Sequence, residues 1–288
     1  MPGDEALSER ASAHVGQELV EELIIQALRS AGDGTPPDQR HVLGHGTSSL
    51  VVLTATTAIR IARDRHAGRQ LQRTQRLVDA LPELPFAVPR SCGDPVVLEG
   101  VTAVPTTRLA GICHPPGHGE GAPLRELLEA IHGLPIGPEH PDLAVRRAFS
   151  GGQRWREVLR EEVPPLLPAR VRSEAVRRAE ALCALPYAPT CFSHGDLAGE
   201  NVLWSEGRVV AVLDWDLATY EDPAEDIASL AWWHGWNVLE ELTDAATAER
   251  AAVYRDSFPL QMVAFHLVSG RDHRALDQVI ARVVPVLQ

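Results

Sequence analysis

Three side chains carry the strongest chemical suggestion in this sequence: Asp196, Asn201 and Asp214. The first two stand in the run His194-Gly-Asp-Leu-Ala-Gly-Glu-Asn201, and Asp214 closes an apolar run, Val209 to Leu213, that reads as a buried strand. A carboxylate, a nearby amide oxygen and a second carboxylate at a strand end suit the transfer of a phosphoryl group to a hydroxyl. That reaction leaves little covalent work for a protein. It needs one carboxylate to accept the hydroxyl proton and side-chain oxygens to hold a divalent cation on the phosphates. Asp and Asn oxygens favour a hard cation, so the expected metal is Mg²⁺ and not zinc. Each residue alone reads as a loop carboxylate, a capping Asn or an ordinary strand end; the joint spacing argues for chemistry.

Composition narrows the alternatives. All 27 residues of the Lys+Arg count are Arg, so Schiff-base and pyridoxal-phosphate chemistry and the lysine of a P-loop are excluded. A net charge of −12 argues against nucleic acid or anionic lipid as partners, because both require basic patches. From His194 to Asp226 nine acids face one arginine, Arg208, which suggests bound cations or a cationic substrate, with a solvated acidic face as the bland alternative. The four cysteines, Cys92, Cys113, Cys183 and Cys191, have neither disulfide-framework nor zinc-site spacing, and are expected to be buried thiols. No apolar run reaches the ~18 residues of a membrane span, and residues 1–10 are polar and acidic; a cytoplasmic protein without membrane attachment is expected.

The elements that must position these residues follow from periodicity. At 288 residues the chain has room for two domains. A helix is expected over 11–30 from Leu19, Leu23, Ile24, Ala27 and Leu28, then an antiparallel sheet built from His41 to Ala62, a helix over 65–81, and more strand over 96–104. The run Gly111 to Gly121 reads as a Pro/Gly-rich excursion. Beyond it, helices are expected over 124–132, 153–162, 173–184, 223–241 and 245–268, interrupted by a hairpin of 201–204 and 208–213. The expected division is 1–103, holding the N-terminal helix and sheet, and 104–288, holding a hinge and the helical remainder.

At His194 to Asn201 the chain matches the protein-kinase catalytic loop, H-x-D-L plus three residues and N, with Gly195 where protein kinases carry Arg. With Ser193 to Leu203, Val212 to Asp216 and Asp222 to Ala228 it resembles the aminoglycoside phosphotransferase family of antibiotic kinases, nearest in motif to the viomycin and capreomycin phosphotransferases. The likeness extends weakly from about Gly46 to Ala275. It implies an α+β, bilobal protein-kinase-like fold with a small β-rich N-lobe and a larger helical C-lobe. It further implies ATP as donor, with GTP as the alternative, Asp196 as the base, Asn201 and Asp214 as Mg²⁺ ligands, and His194 and Asp226 as structural support.

In the first lobe Gly46, Thr47, Ser48 and Ser49 are candidates for a phosphate-covering turn. With no lysine, Arg60 is the candidate cation for the nucleotide phosphates. Where the family carries the glutamate that holds this cation, the chain reads Arg73-Thr-Gln-Arg76, leaving Asp79 or Asp64 to substitute or the pair to be absent. The adenine is expected near Val104 and Thr106. Glu200, Asp216 and Glu221 are the candidate acids for a cationic substrate, and Trp232, Trp233 and Trp236 are expected to pack in a core. The expected activity is phosphorylation of a small cationic hydroxylated molecule, an antibiotic foremost, by a monomer or weak dimer. The rivals are a metabolic kinase of the choline, homoserine or fructosamine type and a nucleotide-binding module without catalysis.

Overall fold

The computed structural model describes residues 16–43, 49–270 and 273–288. The chain divides into two compact units, one of residues 1–80 and 89–109, the other of 81–88 and 110–288. The division expected after residue 103 would cut a strand that the structure keeps whole, Val101–Thr107.

The first unit is an antiparallel sheet with a helix on each face. Its strands are β1 (His41–Leu43), β2 (Ser49–Leu53), β3 (Thr57–Ala62), β4 (Val96–Leu98) and β5 (Val101–Thr107), in the order β1-β2-β3-β5-β4. Alternation along β3 decides the faces. Ile59 and Ile61 point to one side, where helix α1 (Gln17–Ser30) buries Leu23, Ile24, Ala27 and Leu28 against them. Ala62 and Val104 lie on the other side with Leu71 of helix α2 (Arg65–Ala80). Helix and sheet approach closely there: a methyl group on Gly68 would stand 2.6 Å from Thr102 Oγ1.

The second unit opens its sheet with β6 (Ile112–Cys113), inside the run expected as a linker, and has helix α3 (Gly121–His132) next. After short helical turns between 148 and 166, helix α4 (Ala169–Cys183) leads to β7 (Cys191–Ser193), the hairpin β8 (Val202–Ser205) and β9 (Arg208–Val212), and β10 (Thr219–Glu221). Helices α5 (Pro223–His234), α6 (Ala245–Val268) and α7 (His273–Val283) complete it. The sheet order is β6-β8-β9, and β7 pairs separately with β10. Only Ala211 and Val212 of β9 are buried, so its apolar run is not enclosed throughout as expected. The helix expected over 223–241 breaks at Gly235, whose φ of 112° suits glycine. Helix α7, for which no expectation existed, buries only Val279 and Val283.

Two further expectations fail on burial. Cys113 is exposed, on the short strand β6, and all four cysteines are free thiols. Trp232 is 47% exposed, because α5 turns Ile227, Ala228, Leu230 and Ala231 to the core and leaves position 232 on another face. It meets Phe258 edge-on, while Arg255 covers Trp236 at 4.3 Å. No helix of the described residues is long and apolar enough to cross a membrane.

Candidate active site

The β7–β10 ribbon, missed in the sequence because each strand has three residues, delivers the chain into His194. That ring is wholly buried and stands edge-on to Trp215 with centroids 4.7 Å apart. Its Nδ1 accepts from the Asp196 amide at 3.2 Å, which leaves Nε2 as the donor to the Leu213 carbonyl at 2.9 Å. Burial favours the neutral ring and lowers its pKa. The backbone amides of His194 and Gly195 both donate to Asp226, at 2.9 Å each. Gly195 has φ 81°, and a methyl group there would lie 2.6 Å from the Leu217 carbonyl. Glycine at this position is therefore required by the turn beneath it.

Asp196 leads into a helical turn, Gly199–Asn201. The Asn201 amide nitrogen donates to the Asp196 carbonyl at 2.9 Å and to its carboxylate at 3.2 Å. With the nitrogen so used, the amide oxygen of Asn201 is left as an acceptor. The Asn201 carbonyl accepts from the Leu213 amide at 2.8 Å, which fixes the loop beside the strand end carrying Asp214. Asp214 has φ 54°, a left-handed backbone that turns the chain sharply out of β9. Burial and the Asp214 carboxylate push Asp196 up to about 7. Two repelling carboxylates beside an amide oxygen fit a hard divalent cation, so the residues present suit Mg²⁺. Among the described residues no three His, Cys, Asp or Glu side chains form a metal-holding group.

The structure thus brings together Asp196, Asn201, Asp214, His194 and Asp226, and it adds His132. From the end of α3, its Nε2 meets Asp226 Oδ2 at 3.2 Å. Burial favours the neutral ring, but the Asp226 carboxylate overrides it and raises His132 to about 10. Asp226 itself is fully buried, which works against its charge, yet His132 and the loop amides lower its pKa. Nothing in the sequence marked His132, which lies 94 residues before its partner.

The acids proposed for substrate contact separate. Glu200 is exposed and Asp216 half-buried. Glu221 must be withdrawn: it is buried, bonded to Arg146 Nε at 2.8 Å and paired with Arg147 at 3.3 Å. The same network joins Arg147 to Glu225 at 3.2 Å and Arg250 to Asp222 at 3.1 Å, and Tyr254 donates to Asp222. Asp222 also caps α5 by accepting from the Ala224 amide at 3.0 Å, with Pro223 at the first helical position.

On the nucleotide side, Gly46, Thr47 and Ser48 lie outside the described residues, and Ser49 is buried in β2 opposite Ala62. Arg60 sits on the β3 face opposite Ile59 and Ile61, as its alternation required. Of the two acids proposed as its partner, Asp79 accepts from Gln75 and Ser91, and Asp64 accepts from the Ala67 amide. Val104 and Thr106 are corrected as nucleotide contacts. β5 runs on to Thr107, so Val104 is fully buried in the sheet core and the Thr106 hydroxyl donates to the Ala58 carbonyl.

The phosphotransferase enzyme family matches residues 40–257, most of the chain. The chain belongs to this family. Viomycin phosphotransferase of Streptomyces vinaceus is 31% identical over 166 residues, 53% of this chain and 58% of that protein, so the match spans little more than half of that relative. Among solved structures, the GDP complex of aminoglycoside 2'-phosphotransferase-IIIa aligns with a TM-score of 0.72 at 15% identity over 90% of this chain and 96% of that one. Macrolide 2'-phosphotransferase from Brachybacterium faecium aligns with a TM-score of 0.66 at 18% identity over 92% and 98%. These likenesses establish that the chain has the kinase-like α+β fold, with a β-rich first unit and a larger helical second one.

Proposed function

We propose that this phosphotransferase moves the γ-phosphoryl group of ATP to a hydroxyl of a small cationic molecule, an antibiotic of the kind its relatives modify, with Mg²⁺. The observation that carries the reading is the Asn201 side chain, which holds the Asp196 carboxylate with its nitrogen and keeps its oxygen for a cation. Bound by the Asn201 oxygen and Asp214, Mg²⁺ would offset the negative charge of the phosphates. Asp196 takes the proton of the acceptor hydroxyl, and a base near pH 7 suits that task. His194 and Asp226 keep the loop backbone in place, and Arg60 is the proposed cation toward the nucleotide phosphates. Glu200 and Asp216 are the acids that remain for a cationic acceptor. The viomycin phosphotransferase similarity, together with kanamycin in one structural relative, supports an antibiotic over a metabolic alcohol.

A screen with labelled ATP over cationic antibiotics, macrolides and amino alcohols, with and without Mg²⁺, tests the proposal. Magnesium-dependent labelling of one cationic antibiotic, lost in Asp196→Asn, is expected. Efficient labelling of choline or a neutral macrolide alone would overturn the acceptor assignment, and labelling unaffected by Asp196→Asn would overturn the mechanism.

A further inference from the structure

The segment after β6, residues 114–118, is tied to one turn of α5. Trp233 Nε1 donates to the His114 carbonyl at 2.9 Å, the Gly117 amide donates to the Trp233 carbonyl at 2.7 Å, and His234 Nδ1 meets the His118 carbonyl at 2.7 Å. The His114 ring also stacks on Trp204 of β8, centroids 4.2 Å apart and nearly parallel. The indole of Trp233 lies against Gly199 as well. A methyl group on Gly199 would clash with the ring, overlapping Cδ1, Nε1 and Cγ. Gly199 does not have positive φ, so its backbone conformation gives no reason for glycine; the ring does. Trp233 is only partly buried, so filling the core gives no sufficient reason for tryptophan either.

We infer that Trp233 is a positioning residue that couples segment 114–118 to the loop carrying Asp196 and Asn201. Its ring is the surface on which the Gly199–Asn201 turn rests, and its N–H and carbonyl hold the segment. A rigid indole has few torsions with which to absorb a push from either side. A shift of segment 114–118 therefore moves the turn, and through the Asn201 amide it moves the Asp196 carboxylate. The kinetic consequence rests on the function proposed above, whereas the coupling itself does not.

Hydrogen exchange and turnover of the full chain test it together. Gly199→Ala should speed exchange about tenfold in 194–201 and, across the ring, at the Gly117 amide. Trp233→Phe, which puts a smaller aromatic ring in place of the indole and loses the N–H, should speed exchange in 114–118 more than in the loop. With the acceptor found in the screen, Gly199→Ala should lower kcat about tenfold while the acceptor KM changes less than twofold, the mark of misplaced groups and not of lost binding. In a Trp233→Ala background the same substitution should cost nothing further. The neighbouring Trp232→Ala should leave exchange and turnover as they are. Unchanged Gly117 exchange in Gly199→Ala, or an equal loss of kcat with and without the ring, would overturn the coupling. If no acceptor is phosphorylated, the function fails and the exchange pattern still decides the coupling.

Discussion

Nine acids crowd the stretch from His194 to Asp226, and its two ends use them in opposite ways. At the far end Glu221, Asp222, Glu225 and Asp226 are all buried, and each is met by a cation: Arg146 and Arg147, Arg250, Arg147 again, and His132. At the near end Asp196 is held by an amide and faces another carboxylate, whose charge adds to burial in raising its pKa to about 7. One end is neutralised by the protein and serves as structure, while at the other one carboxylate raises the pKa of its neighbour, the arrangement that the proposed function assigns to a catalytic cation. Charge density along the sequence does not distinguish them, because the arginines that meet Glu221 and Glu225 arrive from a loop 75 and 78 residues earlier.

The comparison breaks first at Asp196. Asp196→Asn removes the proposed base and keeps the shape, so kcat should fall by at least ~10² while the melting temperature and nucleotide affinity hold. Turnover within a few-fold of the parent would show that the near end is no more catalytic than the far one.

The far end should fail in stability instead. Arg147 is buried, and burial works against its charge, but Glu225 and Glu221 hold its pKa above the ordinary arginine value. Burial and the neighbouring acids push Glu225 up to about 8, although Arg147 pulls the other way. Arg147→Met strands Glu225 and leaves Glu221 to Arg146 alone, and should cost about 3–5 kcal/mol, read as a melting temperature lower by roughly 10 °C. Glu200→Gln on the exposed side should stay within about 0.5 kcal/mol. Equal melting temperatures for the two variants would dissolve the distinction drawn here.

The grouping of residues at the near end was legible from sequence because it is local: His194, Asp196 and Asn201 lie within eight consecutive residues, and the strand before Asp214 announces itself by its apolar run. Sheet and helices of the first unit were legible for the same reason, since Ile59 and Ile61 alternate and α1 repeats with the helical period. What escaped was fixed by distant partners. Glu221 looked like an open acid until Arg146 covered it, and His132 looked like a lone histidine at a helix end. β7 and β10 were too short to show a period, and β5 was read three residues short, which misplaced Val104 and Thr106.

A smaller effect separates the ends by pH. Charged His132 favours the folded chain because its pKa rises from 6.5 to about 10 on folding. That contribution is complete below about pH 6.5 and fades as pH climbs toward 10. Asp226, lowered on folding, contributes above its unfolded value of 3.8 and loses its share only as pH falls through its folded value. The gap in melting temperature between the parent and His132→Gln should therefore be constant from about pH 5 to 6.5 and narrow steadily up to pH 10. A gap that widens with pH would mean that His132 is neutral in the fold.

The smallest effect concerns the acids still proposed to meet an acceptor. With Glu221 removed from that set, Glu200 and Asp216 remain, and only Glu200 is exposed. An exposed carboxylate acts on a cationic acceptor mainly by raising its local concentration, an attraction screened over about 10 Å at 0.1 M salt. Glu200→Gln should then raise the acceptor KM about two- to fivefold at low ionic strength, leave kcat alone, and converge with the parent near 0.5 M salt. Asp216→Asn, closer to Asp214, should raise KM at every salt concentration, because a half-buried charge is screened less. If both variants leave the KM of a cationic acceptor untouched at low salt, neither end of the acidic stretch recognises charge. The acceptor is then chosen by other residues of the second unit, and the near end serves the phosphates alone.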